Sequence, residues 1–229
     1  MKDVKKELPK GWRWEKLGDA GKLSQGGTPS TEILDYWNGS IPFITGADVT
    51  SLYVSKSRSF LTETGLNSGK TERCEKGDLL IVSRTRVGRV GIADAVLGIS
   101  QDVSVIKLKK DYDTKYLAIF LKSISKHLAE ACQGSTIKGL TRGYIESIQI
   151  PLPPTLDDQI AIANELERKM AEVEAMRQAA LRQKEAVNAL HSARLREFFP
   201  FKKGERLPKG WRWGRLKNEI TNDVSLFRK

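Results

Sequence analysis

A chain of 229 residues with 39% hydrophobic and 29% charged residues is long enough to bury a real core and too apolar to be disordered. Its net charge of +11 and pI near 9.6 suit a polyanionic partner. The charged start Met1–Lys10 lacks a signal-like apolar segment, the longest apolar run is Leu117–Leu121, and Cys74 and Cys132 form no CxxC pair. The expectation is a cytoplasmic protein with no membrane span, no disulfide framework, no metal and no cofactor, His127 and His191 having no ligand set around them.

In chain order, the first signal is LPKGWRWEKL at Leu8–Leu17, rich in turn formers and tryptophan. A run of short strands and turns follows, with Leu79–Ser83, Val90–Ala93 and Val103–Leu108 as strand candidates separated by Gly and charged residues. Lys115–Cys132 reads as a helix, because Leu117, Phe120, Leu121, Ile124 and Leu128 recur at helical spacing, and Gly134 is placed to end it. Ile145–Leu152 is a further strand candidate. From Asp157 to Phe198 the chain has no Gly or Pro and many Ala, Glu, Arg, Gln and Leu, which predicts one helix about 60 Å long. Asp157 is the expected cap, and Pro200 the expected stop. A heptad with a at Leu166, Val173, Ala180 and Val187 and d at Ile162, Met176 and Leu190 gives this helix an apolar seam, interrupted at Lys169 and Gln183. Such a seam calls for a partner helix.

After the helix the opening motif returns: Leu207–Leu216 reads LPKGWRWGRL, agreeing with Leu8–Leu17 at eight of ten positions. A spacing of 199 residues is too long for a solenoid and fits a duplicated domain plus connector, with a second unit beginning near the end. The chain then divides into a domain over 1–156, a long helix over 157–199 and the start of a second unit over 200–229. These carry net charges of +6, −1 and +6, so basic surfaces flank a neutral helix. The fold class is α+β: a β-rich mixed α/β domain followed by one long projecting, coiled-coil-like α-helix.

Motifs along the domain resemble one family. SQGGTPST at Ser24–Thr31 and YWNGSIPFIT at Tyr36–Thr45 are similar to the opening of a target-recognition domain. GDLLIVSRTRVGRVGIA at Gly77–Ala93 and SQDVSVIKL at Ser100–Leu108 are similar to its middle. GSTIKGLTRGYIESIQIPLPP at Gly134–Pro154 and DDQIAI at Asp157–Ile162 are similar to its join with a conserved helix. In this order, with LPKGWRW restarting, the chain resembles half of a type I restriction-modification specificity subunit. The resemblance implies a non-catalytic subunit that recognises double-stranded DNA and directs modification and restriction subunits, which carry the methylation and cleavage chemistry. The family pattern has two recognition domains joined by antiparallel helices, and only one is complete here. Two copies paired through Ile162, Leu166, Val173, Met176, Ala180, Val187 and Leu190 would restore that symmetry as a homodimer and read a two-part inverted site.

Base reading needs donors on exposed loops, and phosphate contact needs Lys, Arg, hydroxyls and backbone amides. Three segments meet that need. In Ser83–Arg89, Arg84 and Arg86 share a face by strand alternation, and Arg89 follows a turn at Gly88; these arginines either read bases or protect a strand edge. Gln133–Lys138 offers Gln133, Ser135, Thr136 and Lys138 for phosphate contact, or is only a helix cap and turn. Gln25–Thr31 offers Gln25, Thr28 and Ser30, with Gly26 and Gly27 permitting close approach, or is turn chemistry alone. Lys70 and Arg73 are candidate phosphate contacts or merely solvated charges. Trp12, Trp14, Trp211 and Trp213 are read as structural, and Tyr36 and Trp37 divide between core and surface. No GxGxxG or GxxxxGK[ST] loop is present, and LPPT at Leu152–Thr155 lacks the residues of an NPPY-type methyltransferase motif, so catalysis is expected from partners. Two rival readings remain: a coiled-coil scaffold, and a truncated remnant without independent DNA binding.

Overall fold

The computed structural model describes residues 7–132, 139–198 and 206–212. They fall into two units, 1–169 and 170–229.

The first unit opens on β1 (Arg13–Lys16), the four-residue α1 (Leu17–Ala20) and β2 (Gly21–Gln25). Then come β3 (Trp37–Ile44), β4 (Tyr53–Val54), β5 (Ser59–Leu61), α2 (Glu63–Leu66), β6 (Glu72–Cys74), β7 (Leu79–Val82), β8 (Val90–Ala93), β9 (Leu97–Ile99) and β10 (Val103–Leu108). Helices α3 (Thr114–Ser123), α4 (Ser125–Ala131) and α5 (Arg142–Ser147) precede β11 (Gln149–Leu152), and α6 runs over Leu156–Phe198. The strands make a five-stranded sheet in the order β2-β10-β7-β8-β4, a four-stranded sheet in the order β5-β3-β9-β6, and the pair β1-β11. Both larger sheets mix parallel and antiparallel neighbours: β4 runs parallel to β8, and β3 to β9.

Alternation along the central strands explains the layering. Leu79 and Ile81 of β7 point to a cluster with Leu117, Leu121 and Leu128 of the helices, whereas Leu80 and Val82 point to one with Ile44, Leu97 and Ile99 of the second sheet. The same split places Val90 and Ile92 against the helices and Ala93 against the sheet. Covered on both faces, β7 must be apolar throughout, which is why LLIV reads as an unbroken run. Cys74 lies in the core between the sheets. A smaller cluster of Ile41, Phe43, Leu61 and Leu66 covers the far side of the second sheet, where Trp37 meets Phe43 edge-on with ring centroids 5.2 Å apart.

The strands expected at Val90–Ala93 and Val103–Leu108 stand as read, and that at Leu79–Ser83 ends one residue earlier. The helix expected over Lys115–Cys132 is two helices broken at Ile124. Ser123 donates its hydroxyl to the Phe120 carbonyl at the break, and Gly88 packs so closely on the Ser125 backbone that a Cβ there would lie 2.4 Å from its oxygen. The first half of the strand expected over Ile145–Leu152 is instead α5. Thr141 caps it by accepting from Tyr144 N at 3.2 Å, and an Arg142–Glu146 pair braces it.

The cap of α6 is Thr155, not Asp157. Its Oγ1 accepts from Asp158 N at 3.1 Å while Asp158 Oδ2 accepts from Thr155 N at 3.3 Å, a reciprocal box that starts the helix at Leu156. One turn in, Gln159 is buried and bonds both ways: Oε1 accepts from Asp113 N at 3.0 Å and Nε2 donates to Asp111 O at 3.2 Å. Lys115 adds an ion pair to Glu167 at 2.7 Å. Ala163 is buried and Ile162 half-buried against the helix-side core, so the first d position of the heptad belongs to the domain's own packing. From residue 168 to 197 every side chain is exposed. The stop expected at Pro200 and the helix end expected at Gly134 lie outside the described residues.

Sequence repetition is matched by local structure. Trp12 N donates to Pro9 O at 3.0 Å over Gly11 at φ +87°, and Trp211 N donates to Pro208 O at 3.0 Å over Gly210 at φ +92°. Both turns put glycine where the backbone is left-handed. Trp12 packs on the helix-side core, whereas Trp211 is 53% exposed. Trp213 lies outside the described residues.

Candidate nucleic-acid interface

Register along the five-stranded sheet brings two of the three segments together. Ser104 of β10 pairs with Gln25 at the end of β2, and Val103 pairs with Val82 at the end of β7. The loops that leave β2 and β7 therefore flank the turn that enters β10, all at one end of the sheet. That turn is Ser100–Val103, closed by Val103 N donating to Ser100 O at 3.0 Å, with Gln101 and Asp102 at its tip.

Gln101 and Asp102 were not singled out from the sequence, and they tie the neighbouring loops. The Asp102 carbonyl accepts from Ser83 N at 2.8 Å and Arg84 N at 3.3 Å, and its carboxylate accepts from Thr85 Oγ1 at 3.1 Å. On the other side the Gln101 carbonyl accepts from Gln25 Nε2 at 3.2 Å, and its side-chain oxygen accepts from Thr28 Oγ1. The available signal was a polar Gln-Asp pair between the apolar runs Leu97–Ile99 and Val103–Ile106, which marks a turn but not what it holds.

Ser83–Arg89 is a compact loop and not a strand, so Arg84 and Arg86 do not alternate as expected. Thr85 between them is left-handed at φ +57°, held there by its bonds to Asp102 and to the Arg84 carbonyl at 2.7 Å, and Gly88 turns the chain back at φ +86°. Arg84 and Arg86 are exposed, and among the described residues neither guanidinium has an acidic or hydrogen-bonding partner. On α6, by contrast, Arg168, Arg177 and Arg194 each pair with a glutamate three residues away. Arg89 is half-buried and donates to the Val49 carbonyl at 3.3 Å.

Gly26 and Gly27 do permit close approach, but to this protein's own backbone. A Cβ on Gly26 would lie 2.3 Å from Ile99 O, and one on Gly27 would lie 2.2 Å from Lys70 O. That packing brings the exposed Lys70 beside the Gln25–Thr28 loop. Ser30 is engaged locally, its hydroxyl accepting from Glu32 N and its carbonyl from Trp37 Nε1. Arg73 is not part of the cluster. It bonds Glu75 at 2.8 Å, which raises its pKa, and pairs with Glu63 at 3.7 Å. Its carbonyl accepts from Lys107 Nζ, four residues and about 13 Å along β10 from Val103. Gln133, Ser135, Thr136 and Lys138 lie outside the described residues. The chain that follows them runs beside the arginine loop, Leu140 N donating to Ser83 O at 2.8 Å.

Among the described residues no group of three His, Cys, Asp or Glu side chains could hold a metal, and no helix is long and apolar enough to cross a membrane.

Residues 9–183 match the family described as the type I restriction modification DNA specificity domain. The chain belongs to that family. Among curated relatives, this specificity domain is 30% identical to the type I restriction enzyme MjaIX specificity subunit of Methanocaldococcus jannaschii, over 92% of the chain and 52% of that protein. It is 26% identical to the EcoR124I/EcoR124II specificity subunit of Escherichia coli, over 64% of the chain and 38% of that protein. Among solved structures, one concerned with complex assembly and conformational transition of the type I R-M system superposes with a TM-score of 0.71 at 24% identity, covering 83% of this chain and 46% of that one. The HsdS subunit from Thermoanaerobacter tengcongensis superposes with a TM-score of 0.63 at 24% identity, covering 77% and 42%. These two establish the fold of the specificity domain. The chain spans about half or less of the length of the relatives it matches.

Proposed function

We propose that this chain is the DNA sequence-recognition component of a type I restriction-modification system, non-catalytic itself and acting in the cytoplasm. It recruits modification and restriction subunits that supply the chemistry. The observation that carries this reading is the union of the Gln25–Thr28 loop, the Gln101–Asp102 turn and the Ser83–Arg89 loop at one end of the sheet, with Arg84 and Arg86 exposed and unpaired among the described residues. Arginines that meet no carboxylate among the described residues keep their fork of donors for guanine O6 and N7, and Lys70 suits phosphate oxygens, whereas the Thr28 proton is spent on Gln101. Gln133, Ser135, Thr136 and Lys138 are proposed as further phosphate contacts. Residues 1–156 form the recognition domain, 157–199 the spacer helix, and 200–229 begin a second unit.

Leu166, Val173, Met176, Ala180, Val187 and Leu190 are exposed along α6. A second copy laid antiparallel on this seam covers it and sets two identical recognition domains on a two-part inverted site. The test is assembly of the purified chain with a cognate modification subunit, followed by light scattering and by sequencing of the adenines that the complex methylates. A stable assembly that methylates a symmetric two-part site supports the reading. A chain that joins the subunit but confers no sequence preference is a scaffold, and one that neither assembles nor binds DNA in a salt-sensitive way is a remnant.

A further inference from the structure

Behind the arginine loop the structure holds a cleft of about 430 Å³ whose walls are the residues 49–51, the end of the Ser83–Arg89 loop, and the facing sides of α3 and α4. Three cations line it, Arg89, Lys122 and Lys126, with hydroxyls from Thr50, Ser51 and Ser125, and no carboxylate is among the lining residues. The cations are available to a ligand. Arg89 spends one donor on the Val49 carbonyl, which fixes its guanidinium at the wall and leaves its remaining N–H groups. Lys122 has no partner among the described residues, and Lys126 reaches only Glu130, at 4.0 Å. Ser51 spends its one hydroxyl proton on the Tyr53 carbonyl at 2.6 Å, which leaves the hydroxyls of Thr50 and Ser125 as the neutral donors of the cleft.

Gly88 makes the cleft continuous with the loop. It abuts the Ser125 backbone with no room for a Cβ, so the segment carrying Arg84 and Arg86 and the helix pair carrying Lys122 and Lys126 are held as one surface. A fixed arginine, exposed lysines and hydroxyl donors without carboxylates are what phosphate oxygens bind.

We propose that this cleft takes the sugar-phosphate backbone of the DNA whose bases face Arg84 and Arg86, so that it supplies affinity and register and not sequence preference. The proposal rests on the DNA-recognition reading above and assigns a separate role within it. Neither lysine was among the contacts expected from the sequence, because both sit on helices at spacings that read as solvated faces.

The test uses the intact chain, a random-sequence duplex, and titrations over a range of salt. Lys122→Ala with Lys126→Ala removes two contacts from each recognition domain, so the slope of log affinity against log salt becomes shallower by about 1.8 for every domain bound. The sequence preference found by binding-site selection stays as in the unaltered chain. Lys22→Ala with Lys110→Ala removes equal charge at the opposite end of the sheet, where Lys22 pairs with Lys107, and leaves the slope unchanged. An unchanged slope in the first variant, or an equal change in both, overturns the cleft while DNA binding itself stands. An unaltered chain with no salt-sensitive binding overturns the recognition reading instead.

Discussion

Gln159 is where the long helix is fastened to the domain, and replacing it with leucine isolates that fastening. Leucine keeps most of the volume of a side chain that is 3% exposed, and it deletes both hydrogen bonds, stranding the Asp113 N–H and the Asp111 carbonyl. An orphaned, partly buried donor or acceptor costs about 1–3 kcal/mol, so the pair costs about 2–6 kcal/mol. Loss reaches further than these two groups, because Asp113 also caps α3 by accepting from Tyr116 N at 2.7 Å, and releasing its backbone loosens that cap. For a unit of this size the change lowers Tm by about 4–24 °C, since 1 kcal/mol corresponds to roughly 2–4 °C. Thermal unfolding followed by circular dichroism measures it, with urea unfolding as a second reading of the same difference. A Gln159→Leu chain that melts within about 2 °C of the unaltered one refutes the reasoning.

Thr85→Gly removes a left-handed β-branched residue, relieving about 1 kcal/mol of strain, and deletes two exposed hydroxyl bonds of about the same total worth. Its Tm therefore stays nearly unchanged while preference for the selected DNA sequence over a random one falls, and preserved preference would dismiss the loop as a reader. Gly26→Ala places a methyl 2.3 Å from Ile99 O in a backbone that cannot give, so it destabilises by at least about 2 kcal/mol in chemical unfolding. Burial raises the Asp48 pKa, but hydrogen bonds from Thr45 and Arg58 outweigh it and hold the carboxyl below its ordinary 3.8. A lowered folded-state pKa gives stability above that value and loses it as pH falls through the folded pKa, so the stability gap between the unaltered chain and Asp48→Asn is full at pH 7 and closes below 3.8 in pH-resolved unfolding. Val173→Asp with Leu190→Asp puts charge on two seam residues that are each 65% exposed, so the proposed antiparallel dimer predicts that sedimentation finds this variant monomeric at concentrations where the unaltered chain self-associates. A dimer that survives both changes lies on another surface.

Elements that bury themselves by local pattern were legible in advance. The unbroken LLIV of β7, the alternation of β10 and the Gly-free, Pro-free run of α6 each carry their own geometry, and the repeated Pro-Lys-Gly-Trp yields the same turn twice. What escaped depended on contacts distant in sequence. Gly88 packs on Ser125 just past the break at Ile124, Gly26 and Gly27 lie against backbone about 73 and 43 residues further along the chain, and the helix is capped by a Thr155–Asp158 exchange that the more obvious Asp157 hid. The candidate interface followed the same rule. Donor-rich loops pointed to Arg84, Arg86, Gln25 and Thr28, but the left-handed Thr85 undid the alternation assumed for the two arginines. Gln101 and Asp102, which together join the loops, carry no local mark beyond a turn.

Strand β1 pairs along its whole length with β11, Arg13 opposite Leu152 and Lys16 opposite Gln149. Leu17 N extends the pairing to Ile148 O at 2.9 Å. The polypeptide thus enters and leaves its domain through a single joint, and some 130 residues of loops, sheets and short helices hang from it as an insert. Rewriting a loop inside that insert leaves the joint, and the helix issuing from it, where they were. A lineage can exchange one interior for another while the joint and the first turns of the helix that leaves it stay in register.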